Sequence, residues 1–182
     1  LDQGFDAFEW FPDRNEAGAG WTEDDLGPEQ RAVIREQARV HDLRLSVHAP
    51  WWANPLKSGA STILAKSLAL AEDLGADLLN LHLYCEQSAA AFVRALEPLL
   101  DRLAATPIRL AVENTPLTGP QECNALFEAL VRSGRADRDR VGLCFDLGHA
   151  NLCRATHNDY LKFLDLLHPD LPIIHLHLHE NW

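Results

Sequence analysis

Apolar residues along the chain follow two spacings that take turns. In short runs every second residue is apolar, and in longer runs every third or fourth. The period of two predicts strands at Phe5–Phe11, Arg44–Val47, Leu78–Leu83, Ile108–Val112, Val141–Phe145 and Ile173–His179. The longer period predicts helices between them. The first opens at Gly27-Pro28 and runs to about His41, burying Ala32, Val33, Ile34, Ala38 and Val40. The next spans Ser61 to Leu74, with Ile63, Leu64, Leu68, Ala71 and Leu74 on one face and Gly75 where a C-terminal cap belongs. A third runs from Ser88 to about Ala105, with Pro98 expected to kink it. Gln121–Ser133 and Asn158–Leu167 complete a count of six strands and five helices.

Strict βα alternation requires right-handed crossovers and a parallel sheet. Two such architectures compete, the open doubly wound sheet and the closed barrel. A doubly wound nucleotide-binding sheet would usually carry a glycine-rich phosphate loop after an early strand. The sequence holds neither G-x-G-x-x-G nor G-x-x-x-x-G-K-[ST]. The polar residues at the strand ends favour the barrel.

Those ends read LSVHAP (His48), LNLHLY (His82), LAVENT (Glu113), CFDLGH (Asp146 and His149) and IIHLHLHEN (His175, His177 and His179). The steps from His48 to His82, Glu113, Asp146 and His177 are 34, 31, 33 and 31 residues, each about one strand–helix–strand unit. Side chains alternate between the two faces of a strand. Leu79, Leu81 and Leu83 therefore oppose Asn80, His82 and Tyr84. Leu110 and Val112 oppose Arg109, Ala111 and Glu113, and Val141, Leu143 and Phe145 oppose Gly142, Cys144 and Asp146. If the leucines face the helices, the potential ligands point into the barrel at its C-terminal end, where βα barrels carry their active sites.

Each residue also has an ordinary structural explanation. Asp146 could cap the turn after its strand, Glu113 could pair with Arg109, and a strand histidine could be a hydrogen-bonded core residue. His41, His157 and His168 fall at helix ends or in loops and are assigned no role. The recurrence of His48, His82, Glu113, Asp146 and His177 at one phase and one spacing favours a shared site. Imidazole and carboxylate without thiolate suit zinc, manganese, cobalt or magnesium.

Composition narrows the picture. The 182 residues carry a formal net charge of −11, which gives no general footprint for nucleic acid or an anionic membrane. No apolar run reaches the roughly 20 residues of a membrane span, and the cytoplasm is the default compartment. Cys85, Cys123, Cys144 and Cys153 form no C-x-x-C pair and read as reduced thiols, with Cys144 filling space in its strand. The chain begins at Leu1, contains no Met and stops just after a strand. Eight βα units need about 250 residues, so it reads as a piece of a longer barrel, trimmed at both ends. Self-association into a homo-oligomer stays open.

The segments VHAP (Val47–Pro50), VENTP (Val112–Pro116), GLCFDLGHANL (Gly142–Leu152) and HLHEN (His177–Asn181), in this order and spacing, resemble the xylose-isomerase-like barrel superfamily. It covers sugar phosphate isomerases and epimerases and the class II apurinic endonucleases. The resemblance begins at Gly4-Phe5-Asp6-Ala7-Phe8-Glu9 and runs almost to Trp182. It implies an α/β (β/α)8 TIM barrel, incomplete here, with about six of eight strands and without the first and last βα units. Residues 1–182 then form one domain. It also implies a metal held by Glu113, Asp146 and His177 and by a second Glu from the eighth strand. HLHEN departs from the commoner ending Asp-Asn, and His175 or His179 could replace His177.

Two activities follow. In a metal-dependent isomerase or epimerase of a sugar or sugar phosphate, Glu113 would ligate the metal and move a proton next to a metal-bound carbonyl. His149 would hydrogen-bond the substrate, and Trp51 or Trp52 would stack on it. In a zinc phosphodiesterase of the endonuclease IV type, acting on apurinic sites in DNA, His48 and His82 would join Glu113 on one zinc and His149 would hold another. The acidic charge and the scarcity of cations near HAPWWANP favour the sugar reading. A binding barrel without activity is the third class, and the retained ligands argue against it. The 182 residues alone are expected to be inactive for want of the second Glu.

Overall fold

A computed structural model describes residues 4–15 and 17–179. Six strands form one parallel sheet whose order in space is their order in sequence. They are β1 (Ala7–Trp10), β2 (Arg44–His48), β3 (Leu78–His82), β4 (Arg109–Glu113), β5 (Val141–Asp146) and β6 (Ile173–His177). The helices are α1 (Pro28–Val40), α2 (Ala60–Leu74), α3 (Ala89–Leu103), α4 (Pro120–Arg132), α5 (Leu147–Leu152) and α6 (Tyr160–Asp165). The sheet curls into an incomplete (β/α)8 barrel, which brings Glu9 of β1 within hydrogen-bond reach of His175 and His177 of β6.

Local chemistry sets the helix ends. Pro28 and Pro120 occupy first-turn positions of α1 and α4, where a missing N–H leaves no bond unmade. Ser88 caps α3, its side chain accepting from the Ala91 N–H at 3.2 Å. Gly75 closes α2 with φ 69°, a left-handed conformation that costs a glycine little.

The core lies between sheet and helices. Leu79, Leu81, Leu83, Leu110, Val112, Leu143 and Phe145 pack outward against Leu64, Leu68, Phe92, Leu96, Leu126 and Phe163. Each such fully buried side chain is worth about 1.5–3 kcal/mol. A smaller group, Leu78, Ala111 and Cys144 with Ile174, fills the inside of the curl. The predicted strand phase is therefore the observed one in β3, β4 and β5.

Two expectations need correction. Among the described residues there are six α-helices, because GHANL continues into α5 directly after β5, while the last predicted helix shrinks to Tyr160–Asp165. Short polar turns either side of a six-residue helix leave little periodicity to detect. In α1, Ala32 is exposed, and Val33 and Val40 are 61% and 56% exposed. Ile34 and Ala38 set the inward face, and at 3.6 residues per turn the two valines fall roughly a third of a turn or more from it. In β6, a register shift between Leu143 and Cys144 pairs Leu143 with Ile173 but Cys144 with His175. Ile174 and His175 consequently both face inward. Gly142 makes room for this bulge, since a Cβ there would lie 2.6 Å from the Pro172 carbonyl oxygen and 2.9 Å from the Ile174 side chain.

Candidate metal centre

The C-terminal strand ends converge on Glu113, which is 1% exposed. Its Oε2 accepts from His48 Nε2 at 2.9 Å and from Asn80 Nδ2 at 2.5 Å, and lies 3.2 Å from His177 Nδ1. Its Oε1 faces His149 Nδ1 at 3.2 Å and His82 Nε2 at 3.6 Å. Four imidazoles from four βα units thus surround one carboxylate, and Arg109, at the far end of β4, is not its partner.

Asp146 does two things. As the N-cap of α5, its Oδ1 accepts from the His149 N–H at 2.6 Å. The same carboxylate receives His179 Nε2 at 2.9 and 3.0 Å and lies 3.5 Å from His177 Nδ1. The fit with His179 depends on Gly148, where a Cβ would come within 2.1 Å of the His179 ring. Asn114 braces this corner through two bonds to the Asp146 backbone, at 3.0 and 2.8 Å.

Two triads follow from this packing, with the ligand atoms of each within 4.8 Å of one another: Glu113, Asp146 and His177, and His48, His82 and Glu113. A third unites Asp146, His149 and His179. The structure therefore brings together every strand-end residue singled out in the sequence, His177 included, with His175 and His179 to either side of it. Trp51 and Trp52 stand on the loop after β2, 57% and 37% exposed, in edge contact with each other at 5.5 Å. Tyr84 donates its hydroxyl hydrogen to the Trp51 carbonyl. Glu180 and Asn181 of HLHEN lie outside the described residues.

One site residue was missed. Glu9 of β1 accepts from His177 Nε2 at 2.8 Å, His175 Nε2 at 3.1 Å and Ser46 Oγ at 2.8 Å. The signal was available, because Glu9 is the one charged residue of β1 and shares the phase of Ala7.

The electrostatics are those of a charged cage. Burial works to raise the Glu113 pKa, but His149, His177, His48 and His82 outweigh it and hold the carboxyl well below the usual range. Glu9 and Asp146 behave alike, the former through His175 and His177, the latter through His177 and the His149 N–H. Burial works to lower His177 and His149. Asp146, Cys144, Glu113 and Glu9 raise the first, and Glu113 and the Asn114 carbonyl raise the second. Carboxylates fixed as anions among imidazoles are a cation's donor set. Two further observations fit one. His48 Nδ1 donates to the Ala49 carbonyl at 2.6 Å, which fixes the ring with Nε2 against Glu113. Asn80 Oδ1 is buried with no hydrogen-bond partner among the described residues. A surface cavity of about 710 Å³, lined by Phe127, Val131, Arg138 and His168, contains none of these groups.

A family model described as xylose isomerase-like TIM barrel matches residues 1–182. Among solved structures, a D-tagatose 3-epimerase-like protein aligns with 99% of this chain and 69% of its own, at 19% identity and TM-score 0.66. Putative xylose isomerase from Rhodospirillum rubrum aligns over 99% and 69%, at 16% identity and TM-score 0.72. Endonuclease IV from Thermus thermophilus aligns over 97% and 67%, at 24% identity and TM-score 0.61. Across eight of the solved structures that it matches, the chain spans from 53% to 78% of their length. No curated protein matches it.

Proposed function

The chain belongs to the xylose isomerase-like TIM barrel family, and from that premise we propose that it carries most of the active site of a divalent-metal-dependent isomerase or epimerase of a sugar or sugar phosphate. Glu113, Asp146 and His177 are its metal ligands in this reading. A divalent ion held by them, manganese, cobalt, magnesium or zinc, supplies Lewis-acid polarisation of a carbonyl or hydroxyl oxygen.

The chain's own groups divide the remaining work. Glu113 is the carboxylate that takes the proton from the carbon beside the carbonyl. Its imidazole neighbours keep it ionised, which suits a ligand and makes it a weak base, so the reaction depends on an acidified C–H. His149, fixed by the Asn114 carbonyl at 2.9 Å, hydrogen-bonds a substrate oxygen. Trp51 and Trp52 offer apolar faces to the sugar carbons.

The observation that carries the sugar reading is the mouth of the barrel. Among the described residues, the loops that follow the strands hold three cations, Arg14, Lys57 and Arg154. Arg14 is bound to Asp25 at 2.6 Å and Lys57 lies 3.7 Å from Glu86. A phosphodiester strand gains most of its affinity from unpaired cations, whereas a small polyol does not need them. The second reading, a zinc endonuclease of the apurinic-site type, draws support from the triad of His48, His82 and Glu113.

Deuterium exchange separates the two. The metal-loaded chain, in its longest available form, is incubated with ketoses in D2O, and label is followed at the carbon next to the carbonyl. Stereospecific incorporation that is lost in Glu113→Gln is expected. Cleavage of an abasic-site oligonucleotide with no such incorporation, on a chain that binds about three zinc ions, would transfer the assignment to the nuclease.

A further inference from the structure

One layer below the strand-end carboxylates lies a cluster that contains sulfur and that the proposed reaction does not use. Cys144 sits on β5 two residues before Asp146, wholly buried, with its Sγ pointing to the inside of the curl. The bulge in β6 pairs it with His175. Ligand atoms of Cys144, His175 and His177 lie within 4.8 Å of one another. Glu9 closes the group from the opposite edge of the sheet, bonded to both imidazoles and to Ser46 Oγ.

The two nitrogens of His177 divide between layers. Nδ1 faces Glu113 and Asp146 at 3.2 and 3.5 Å, while Nε2 faces Glu9 at 2.8 Å. A ligand bond through Nε2, on the Glu9 side, would leave Nδ1 to the upper donors.

We propose that Cys144, His175, Glu9 and His177 Nε2 form a second cation site, selective for a sulfur-seeking divalent ion of the zinc type. Thiolate, imidazole and carboxylate together make a four-donor tetrahedral set, whereas magnesium and calcium prefer oxygen alone. The thiol is the group that tells this site from a simple carboxylate–imidazole pairing. Binding releases its proton, as Cys–SH plus M²⁺ gives Cys–S–M⁺ plus H⁺. An entry path exists, since the side chains of Glu9, His175 and His177 are 23%, 26% and 21% exposed.

Cobalt(II) reports this directly, because a thiolate ligand adds an intense near-ultraviolet sulfur-to-cobalt charge-transfer band that an oxygen and nitrogen donor set lacks. The full chain, stripped with chelator, is titrated with cobalt(II). The band is expected in the wild type, lost in Cys144→Ser and in His175→Gln, and retained in Asp146→Asn. Cys144→Ala, which suits the apolar surroundings, serves if the serine variant does not fold by circular dichroism. Absence of the band in the wild type, or its survival when Cys144 is replaced, overturns the site. Either outcome leaves the sugar reading untouched, because the upper donors contain no sulfur.

Discussion

The middle of the sheet and its two edges solve different problems. In β3, β4 and β5, Asn80, Glu113 and Asp146 are 0%, 1% and 2% exposed, held by strands on both sides and helices behind. In β1 and β6, the inward side chains of Glu9, His175 and His177 remain a fifth to a quarter exposed. Outward, Phe8, Leu176 and Leu178 are 52%, 55% and 73% exposed. Glu113 and Asp146 of the candidate centre are thus set where water is excluded, which strengthens every contact they make. The imidazoles that complete it come partly from the edges, where a ring can turn to meet an ion.

This contrast can be broken or sharpened in order of expected effect. Glu113→Ala removes the acceptor shared by four imidazoles. Chemical denaturation of the metal-free chain should show a loss of about 3–5 kcal/mol, together with loss of metal binding at the upper site. Leu143→Ala, in the fully packed β5, should cost about 2–5 kcal/mol in the same assay. At the junction between middle and edge, Gly142→Ala must push Pro172 and Ile174 away and should cost about 1–3 kcal/mol. Smaller still is a pH effect on the metal-free chain. Glu113 is lowered from 4.5, so its contribution is complete above that value and lost as pH falls below it. His149 is raised from 6.5, so its contribution is complete below that value and lost as pH rises through the raised one. Melting temperature should therefore peak between these two pH values, and a maximum at alkaline pH would contradict the ion-pair cage. At the edge, Leu176→Ala should change stability by no more than about 0.5 kcal/mol. A loss for it as large as for Leu143→Ala would erase the distinction between the two regions.

Much of this was legible in the chain. The strict period of two in LLNLHLYC, RLAVEN and VGLCFD set the inward phase of Asn80, His82, Glu113, Cys144 and Asp146, because a strand offers only two faces. The spacing of His48, His82, Glu113, Asp146 and His177 marked one ligand per βα unit. What escaped depended on contacts between units. Glu9 joins the centre only because the sheet curls far enough to bring β1 to β6. The bulge that turns both Ile174 and His175 inward rests on an absent Cβ at Gly142, which no hydropathy pattern encodes. Val33 and Val40 were misread for a related reason: an apolar residue shows its class, but its face is decided by the neighbour it meets.

Asp146 carries a consequence for measurement. The oxygen that receives the His149 N–H also belongs to the carboxylate that faces His177 and His179. A six-residue segment such as α5 does not persist as a helix by its own propensity, so its first turn relies on that bond. If the carboxylate turns toward a cation, the amide hydrogen of His149 loses this acceptor, and its exchange should speed up when metal is added. That rate would then gauge occupancy at a single backbone position, without substrate, turnover or knowledge of which ion has arrived.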